Sequence, residues 1–225
     1  MREICWIIAA LGALAGCASG GPGGGAGSAG EPSARSFVYD CGEHRFQVEV
    51  GAGVAQVTGP DGRQRTLQPA RAASGAKYQG EDALYWSKGE SALFQWDGRR
   101  FEGCAENPRA TVWADAASRG VDFRALGNEP GWLLEVRDGG HLTFVGDYGA
   151  RRVLVENPGA ETHADATVYE AASGEHRLRV VIRRQRCQDT MSGEPFEARV
   201  EVTLDGTTYR GCGNWLPWSP GPERY

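Results

Sequence analysis

The chain has 225 residues, with 24 Lys plus Arg against 29 Asp plus Glu for a net charge of −5, and 33 Gly and 11 Pro. An acidic balance without a long run of either sign excludes a nucleic-acid-binding surface, which needs a clustered basic face. That much Gly and Pro predicts a turn-rich, all-β chain, and the length fits one large or two small domains. An acidic surface suits a basic partner, mostly by raising the association rate. Among the basic residues only Lys77 and Lys88 are lysines. At those two places the chain keeps a compact, rotatable ammonium where it otherwise uses the planar Arg fork.

Met1-Arg2 is a small positive start, and the apolar run Ile4 to Leu14 is shorter than the ~20 residues that span a bilayer, so residues 1–16 are expected to be a signal peptide. Leu14-Ala15-Gly16-Cys17 resembles the lipobox of bacterial lipoproteins. The resemblance implies that Cys17 is diacylated (palmitate included) and becomes the new N-terminus. By the same resemblance, Ala18 in place of Asp favours the outer membrane. Residues 17–36 read as the lipidated Cys and a flexible linker, because Gly20, Gly21, Gly23, Gly24, Gly25, Gly27 and Gly30 with Ser and Ala bury too little apolar surface to order themselves.

With Cys5 in the signal and Cys17 acylated, Cys41, Cys104, Cys187 and Cys212 remain. An even set in an exported protein implies two disulfides in one of three pairings. Nearest-in-sequence pairing joins Cys41 to Cys104 and Cys187 to Cys212. The cysteines form no Cys-x-x-Cys pair, and His44, His141, His163 and His176 lack ligand spacing. No metal or cofactor is expected.

The first half reads as short strands: Phe46, Val48 and Val50 on one face, then Val54 and Val57, Ala83 to Trp86, Ala92 to Trp96, and Arg100 to Glu102. Asp61-Gly62 and Asp97-Gly98 are hairpin signals between them. Short strands, frequent turns and no long amphipathic helix predict a small antiparallel barrel or sandwich. After Asn107-Pro108 a short helix is expected around Trp113 to Ser118. Strands follow over Trp132–Val136, His141–Val145, Arg152–Val155, Thr167–Tyr169, Leu178–Ile182 and Ala198–Leu204, with turns at Asp138-Gly139-Gly140 and Asp205-Gly206. Arg99 to Cys104 is echoed by Thr207 to Cys212, which suggests two related β architectures in tandem. The expected division is 37–107 for the first domain, 110–214 for the second and 215–225 for a tail.

Four segments occur in order: Tyr39-Asp40-Cys41, Ser74-Gly75-Ala76-Lys77-Tyr78, Tyr85-Trp86-Ser87-Lys88-Gly89 and Phe101-Glu102-Gly103-Cys104. Together they resemble the MliC family, the membrane-bound lysozyme inhibitors of c-type lysozyme, over about 37–107. The motifs are Ser-Gly-x-x-Tyr (Ser74, Gly75, Tyr78) and a Lys-Gly after an aromatic (Lys88, Gly89). The resemblance implies an eight-stranded antiparallel barrel closed by Cys41–Cys104, with c-type lysozyme as its partner and Ser74 and Lys88 as the inhibitory pair on neighbouring loops. The residue types suit that target. The lysozyme cleft holds a protonated carboxylic acid beside an ionised carboxylate, and a hydroxyl and an ammonium can bond to both. Residues 38–107 carry ten Asp plus Glu against eight Lys plus Arg, a mildly acidic head for a basic enzyme.

Phe123 to Trp132, Cys187 to Gly193 and Tyr209 to Cys212 resemble an uncharacterised family of bacterial envelope domains, which implies no activity. Asn128-Glu129-Pro130-Gly131-Trp132 reads more readily as a turn sending Trp132 into the core than as a binding loop. Asp189 and Ser192 are expected to make local turn hydrogen bonds. Ser74-Gly75-Ala76-Lys77 also fits Ser-x-x-Lys. That nucleophile motif needs a helix, and its Ser-Asp-Asn and Lys-Thr-Gly partners are absent, so no enzyme is expected. The reading is an outer-membrane lipoprotein that inhibits c-type lysozyme and is held to the membrane by its lipid, periplasm-facing or surface-exposed. The competing class is a non-catalytic envelope lipoprotein that binds a small ligand or stabilises the envelope. Anchoring is directly testable: Cys17→Ser is expected to release the protein from the membrane fraction or stall its processing. Unchanged, fully processed membrane association would refute lipidation.

Overall fold

The computed structural model describes residues 34–217; the expected signal peptide, Cys17 and most of the expected linker lie outside the described residues. Eight strands open the fold: β1 (Arg35–Cys41), β2 (His44–Gly51), β3 (Val54–Thr58), β4 (Gln64–Ala70), β5 (Ala76–Gln79), β6 (Ala83–Lys88), β7 (Ser91–Trp96) and β8 (Arg99–Glu106). They form an antiparallel up-and-down meander that closes where β8 pairs with β1. Alternation builds the interior, since every second residue of a strand faces one side. Phe46 and Val48 of β2, Tyr85 of β6, and Ala92, Phe94 and Trp96 of β7 are all buried. Phe46 stacks on Phe94 at 4.1 Å, and the Tyr39 and Tyr85 hydroxyls share a hydrogen bond of 3.0 Å. Asp97-Gly98 makes a two-residue turn with φ of 51° and 73°, the doubly left-handed geometry that matches strand twist.

Three of these strands carry little alternation in sequence. In β4 only Leu67 is buried, β5 has four residues, and β1 begins at Arg35, so Arg35 and Ser36 of the expected 17–36 linker are strand. The helix α1 (Pro108–Ser118) starts five residues before the expected Trp113. Asn107 is its N-cap, accepting from the Ala110 N–H at 2.9 Å, and Pro108 opens its first turn, where a missing N–H costs nothing. One face of α1 sets Ala110 and Ala114 against Val38 of β1. Trp113 packs instead with Phe196 and Cys212.

The rest of the chain forms β9 (Phe123–Asn128), β10 (Gly131–Val136), β11 (His141–Gly146), β12 (Arg151–Glu156), β13 (Glu161–Thr162), β14 (Ala166–Ser173), β15 (His176–Arg183), β16 (Cys187–Gln188), β17 (Pro195–Phe196), β18 (Ala198–Leu204) and β19 (Thr207–Trp215). Nine of them make one curled antiparallel sheet in the order β12-β11-β10-β9-β19-β18-β15-β14-β13, while β16 and β17 pair separately. The architecture is thus all-β, with a closed barrel followed by a curled half-barrel. As in the barrel, the first and last strands pair, here β9 with β19; unlike the barrel, no ladder joins β12 to β13. The echo between the two halves therefore extends to this first-to-last pairing and stops short of closure.

Phe123–Asn128 is a strand and Asn128 pairs with Gly131, so the Asn128 to Trp132 segment is a tight hairpin. Trp132 is buried and donates its indole N–H to the Arg210 carbonyl at 3.2 Å. Trp215, assigned from sequence to the tail, belongs to β19 and packs edge-on against Phe123.

Cys41 is bonded to Cys104 and Cys187 to Cys212, with sequence separations of 63 and 25. The first joins the barrel's terminal strands, and the second ties the segment after β15 to β19. Loop-closure entropy assigns about 4 kcal/mol to the longer bridge and about 3.5 kcal/mol to the shorter. The double variants Cys41→Ala/Cys104→Ala and Cys187→Ala/Cys212→Ala are expected to lose stability of that order in urea unfolding. Peptide mapping that joined Cys41 to Cys187 or Cys212 would overturn the arrangement.

Candidate functional site

In an up-and-down meander alternate connections share a rim. The 71–75 connection between β4 and β5 and the Gly89-Glu90 turn between β6 and β7 therefore project from the same end of the barrel. Ser74 lies in the first of these, and Lys88 is the last residue of β6, paired with Ser91 across the turn. Lys88 is thus anchored at its backbone by a ladder, a firmer base than the loop expected from sequence. Both residues are exposed. Among the described residues, neither the Ser74 hydroxyl nor the Lys88 ammonium has a hydrogen-bond or ion-pair partner.

The two are brought together by a close backbone approach. Gly75 has φ of +73°, and a Cβ placed on it would sit 2.0 Å from the Ser87 carbonyl oxygen and 3.4 Å from the Lys88 Cα. Only a residue with no side chain fits there. The Trp86 indole N–H donates to the Ser74 carbonyl at 2.8 Å and so holds the loop against β6 from the outer face. The Lys77 ammonium lies 5.9 Å from the centre of the same indole ring, and the β5–β6 register pairs Ala76 with Ser87 and Lys77 with Trp86.

Beneath this, Tyr78 is half-buried and stacks on Tyr85 at 6.0 Å, and Tyr85 stacks on Phe94 at 5.2 Å. Burial pushes the Tyr85 hydroxyl above its ordinary pKa, as befits a packing group. Tyr78 acts as a support that seats β5 on the core. Gly89 takes φ of +60° at the first turn position, which Gly favours, and a Cβ there would meet open space. The turn is tied to the end of β8, where the Glu106 N–H donates to the Glu90 carbonyl at 2.7 Å.

The opposite rim contrasts in its electrostatics. Arg63 pairs with Asp61 (2.6 Å) and Asp97, and Arg65 pairs with Asp82 (2.9 Å) and Asp97. Desolvation raises the Asp61 carboxyl, but hydrogen bonds from the Trp96 indole and from Arg63 outweigh it and hold its pKa at about 2. These charges satisfy one another, whereas Lys88 presents an unpaired cation and Ser74 a free hydroxyl. The Ser74–Lys88 rim can therefore offer a donor and a positive charge to an acidic groove without first breaking an internal bond. The sequence motifs name Ser74, Gly75 and Lys88 as candidates; they do not mark Trp86 as the clamp, because its contact with Ser74 is tertiary.

In the second half, Asp189 accepts from the Met191 N–H (3.0 Å), the Ser192 N–H (2.7 Å) and the Ser192 hydroxyl (2.8 Å), the local turn bonding expected of it. Comparison of the chain with curated proteins and with solved structures gives no match. Residues 39–101, which run from β1 into β8 and include Ser74, Gly75, Tyr78, Lys88 and Gly89, match the model of the MliC family, described as the membrane-bound lysozyme-inhibitor of c-type lysozyme.

Proposed function

We propose that the protein is an outer-membrane lipoprotein whose barrel inhibits c-type lysozyme by delivering Ser74 and Lys88 into the catalytic cleft, which protects peptidoglycan. The observation that carries the proposal is the family match over 39–101; it is supported by the rim, where the Ser74 segment is held against the end of β6 and the exposed Ser74 and Lys88 side chains are uncommitted. Retaining glycosidases hold their two carboxyl groups about 5 Å apart, one protonated and one ionised. Lys88 would pair with the ionised group and Ser74 would hydrogen-bond with either, while the barrel wall blocks the sugar groove. No bond is made or broken, so the protein is an inhibitor and not an enzyme. Rigidity favours this role, because a loop already held in its bound form loses little entropy on docking. The lipid on Cys17 and the segment up to residue 34 would tether the barrel to the membrane, with the barrel of β1 to β8 as the inhibitory domain and the sheet from β9 to β19 as a second β domain.

Lysis assays with c-type lysozyme and the detergent-purified full chain test this reading. Lys88→Ala is expected to leave folding unchanged and to weaken inhibition by about 30-fold to several-thousand-fold, the equivalent of ~2–5 kcal/mol for one member of a buried charge pair. Ser74→Ala is expected to cost about 0.5–1.5 kcal/mol. Lys77→Ala, at the other lysine of the chain, serves as the control and is expected to retain inhibition. If Lys88→Ala and Ser74→Ala both inhibit like the parent, the pair is wrongly assigned; if the parent inhibits no c-type lysozyme, the function is.

The close approach at Gly75 yields a separate expectation. Gly75→Ala forces the Ser74 segment off β6 and strains its backbone, so inhibition is expected to fall about tenfold or more while the circular dichroism of the barrel is kept. Full inhibition by Gly75→Ala would show that the clamp does not matter.

A further inference from the structure

The outer face of the second sheet holds a group of charges that the lysozyme reading leaves unused. Arg183 near the end of β15 and Arg199 of β18 are direct cross-strand partners, and Arg199 is in turn paired with Cys212 of β19. Both arginines are exposed, and among the described residues neither has a carboxylate partner. Like charges placed opposite each other destabilise a sheet. In the neighbouring row, Arg210 and Glu201 neutralise each other at 3.1 Å.

These side chains line one wall of a cavity of about 400 Å³. The other wall is the 187–190 segment, which the Cys187–Cys212 disulfide fastens to β19 beside the arginines. That volume falls within the ~300–1,000 Å³ range of small-ligand sites. Its second carboxylate, Asp189, is occupied: it accepts the three bonds from Met191 and Ser192, and its other oxygen accepts from the Asn128 amide at 2.6 Å. Those bonds keep Asp189 ionised below its ordinary pKa against the desolvation that raises it. Neither carboxylate of the cavity is thus free to serve Arg183 or Arg199. Guanidinium forks bind carboxylate and phosphate oxygens in bidentate fashion.

We infer that this cavity is a binding site for a small ligand bearing an oxyanion, a carboxylate or a phosphate, held between the guanidinium groups of Arg183 and Arg199 under the disulfide-fastened 187–190 segment. The anion would relieve the repulsion between the two arginines, and Asn128, Gln188 and Thr190, which are hydrogen-bonded within the protein, line the rest of the cavity. The site stands apart from the Ser74–Lys88 rim, so it survives if the lysozyme reading fails.

Calorimetric titration of the full chain in non-ionic detergent and Tris chloride, with sodium phosphate in one arm and sodium succinate in the other, tests the site. At least one anion is expected to bind with a Kd of about 1 mM or tighter. Binding of phosphate alone assigns a phosphate-bearing ligand, and of succinate alone a carboxylate-bearing one. Arg183→Gln/Arg199→Gln is expected to weaken binding about tenfold or more. Arg179→Gln, on the same strand but paired with Glu170, is expected to bind like the parent. Should the double variant lose its near-ultraviolet circular dichroism, the two single variants replace it and are each expected to show weakened binding. Absence of heat for both anions at roughly 10 mM, or parent-like affinity in the arginine variants, would overturn the site.

Discussion

The barrel closes on a narrow seam. Strands β1 and β2 share seven residue pairs, whereas β1 and β8 share only two, Tyr39 with Glu106 and Asp40 with Ala105. A ladder that short is a poor closure for eight strands, and covalent and side-chain bonds extend it on both sides. On one side is Cys41–Cys104. On the other is Asn107, whose N–H donates to the Val38 carbonyl at 2.8 Å, whose amide donates to Asp40 at 2.8 Å, and whose carbonyl oxygen caps α1. Closure removes the exposed edges that would otherwise template aggregation. Because one asparagine serves both seam and cap, barrel closure and the start of α1 are a single local event. The Thr111 hydroxyl, one turn into the helix, accepts from the Val38 N–H at 2.9 Å and covers the β1 backbone beyond the seam.

The site inherits its rigidity from this closed cylinder. Tyr78, Tyr85 and Phe94 transmit the order of the core to β5 and β6, and Trp86, facing the other way on β6, uses that fixed strand to hold Ser74. Alternation along one strand therefore divides the labour, with Tyr85 building the interior and Trp86 shaping the rim. The second sheet is braced differently. Glu135 of β10 is half-buried between Arg119 at the C-cap of α1 (3.0 Å) and Arg124 of β9. Burial alone would raise the Glu135 carboxyl; the two guanidinium groups reverse that and hold it below its ordinary pKa.

Where local chemistry decides the backbone, the sequence was legible. Asp97-Gly98 and Asp205-Gly206 form the tight turns their side chains demand, and the alternating runs at Phe46, Phe94, Trp132 and Val200 are the strands of the cores. The β5–β6 register brings the two motif-bearing segments, around Ser74 and Lys88, to neighbouring positions. Legibility failed where tertiary contacts override local pattern. Strand β4 is mostly polar because a closed barrel buries only one of its faces, and there it needs little beyond Leu67. The full length of α1 was hidden because Asn107-Pro108 reads as punctuation as easily as a cap followed by a first-turn proline. Arg183 and Arg199 are separated by a long excursion through β16 and β17, so nothing local marks them as neighbours.

Strand pairing sets Lys77 and Lys88 on the same hairpin, β5–β6, and the chain has no other lysine. Apart from its amino terminus, the folded protein therefore presents primary amines on a single hairpin. Amine-directed chemistry, whether a fluorescent label, a surface-immobilisation reagent or a bifunctional crosslinker, will land on or beside the Ser74 rim. Immobilisation through amines would mask that rim, whereas a crosslinker seated there would sample whatever molecule occupies it.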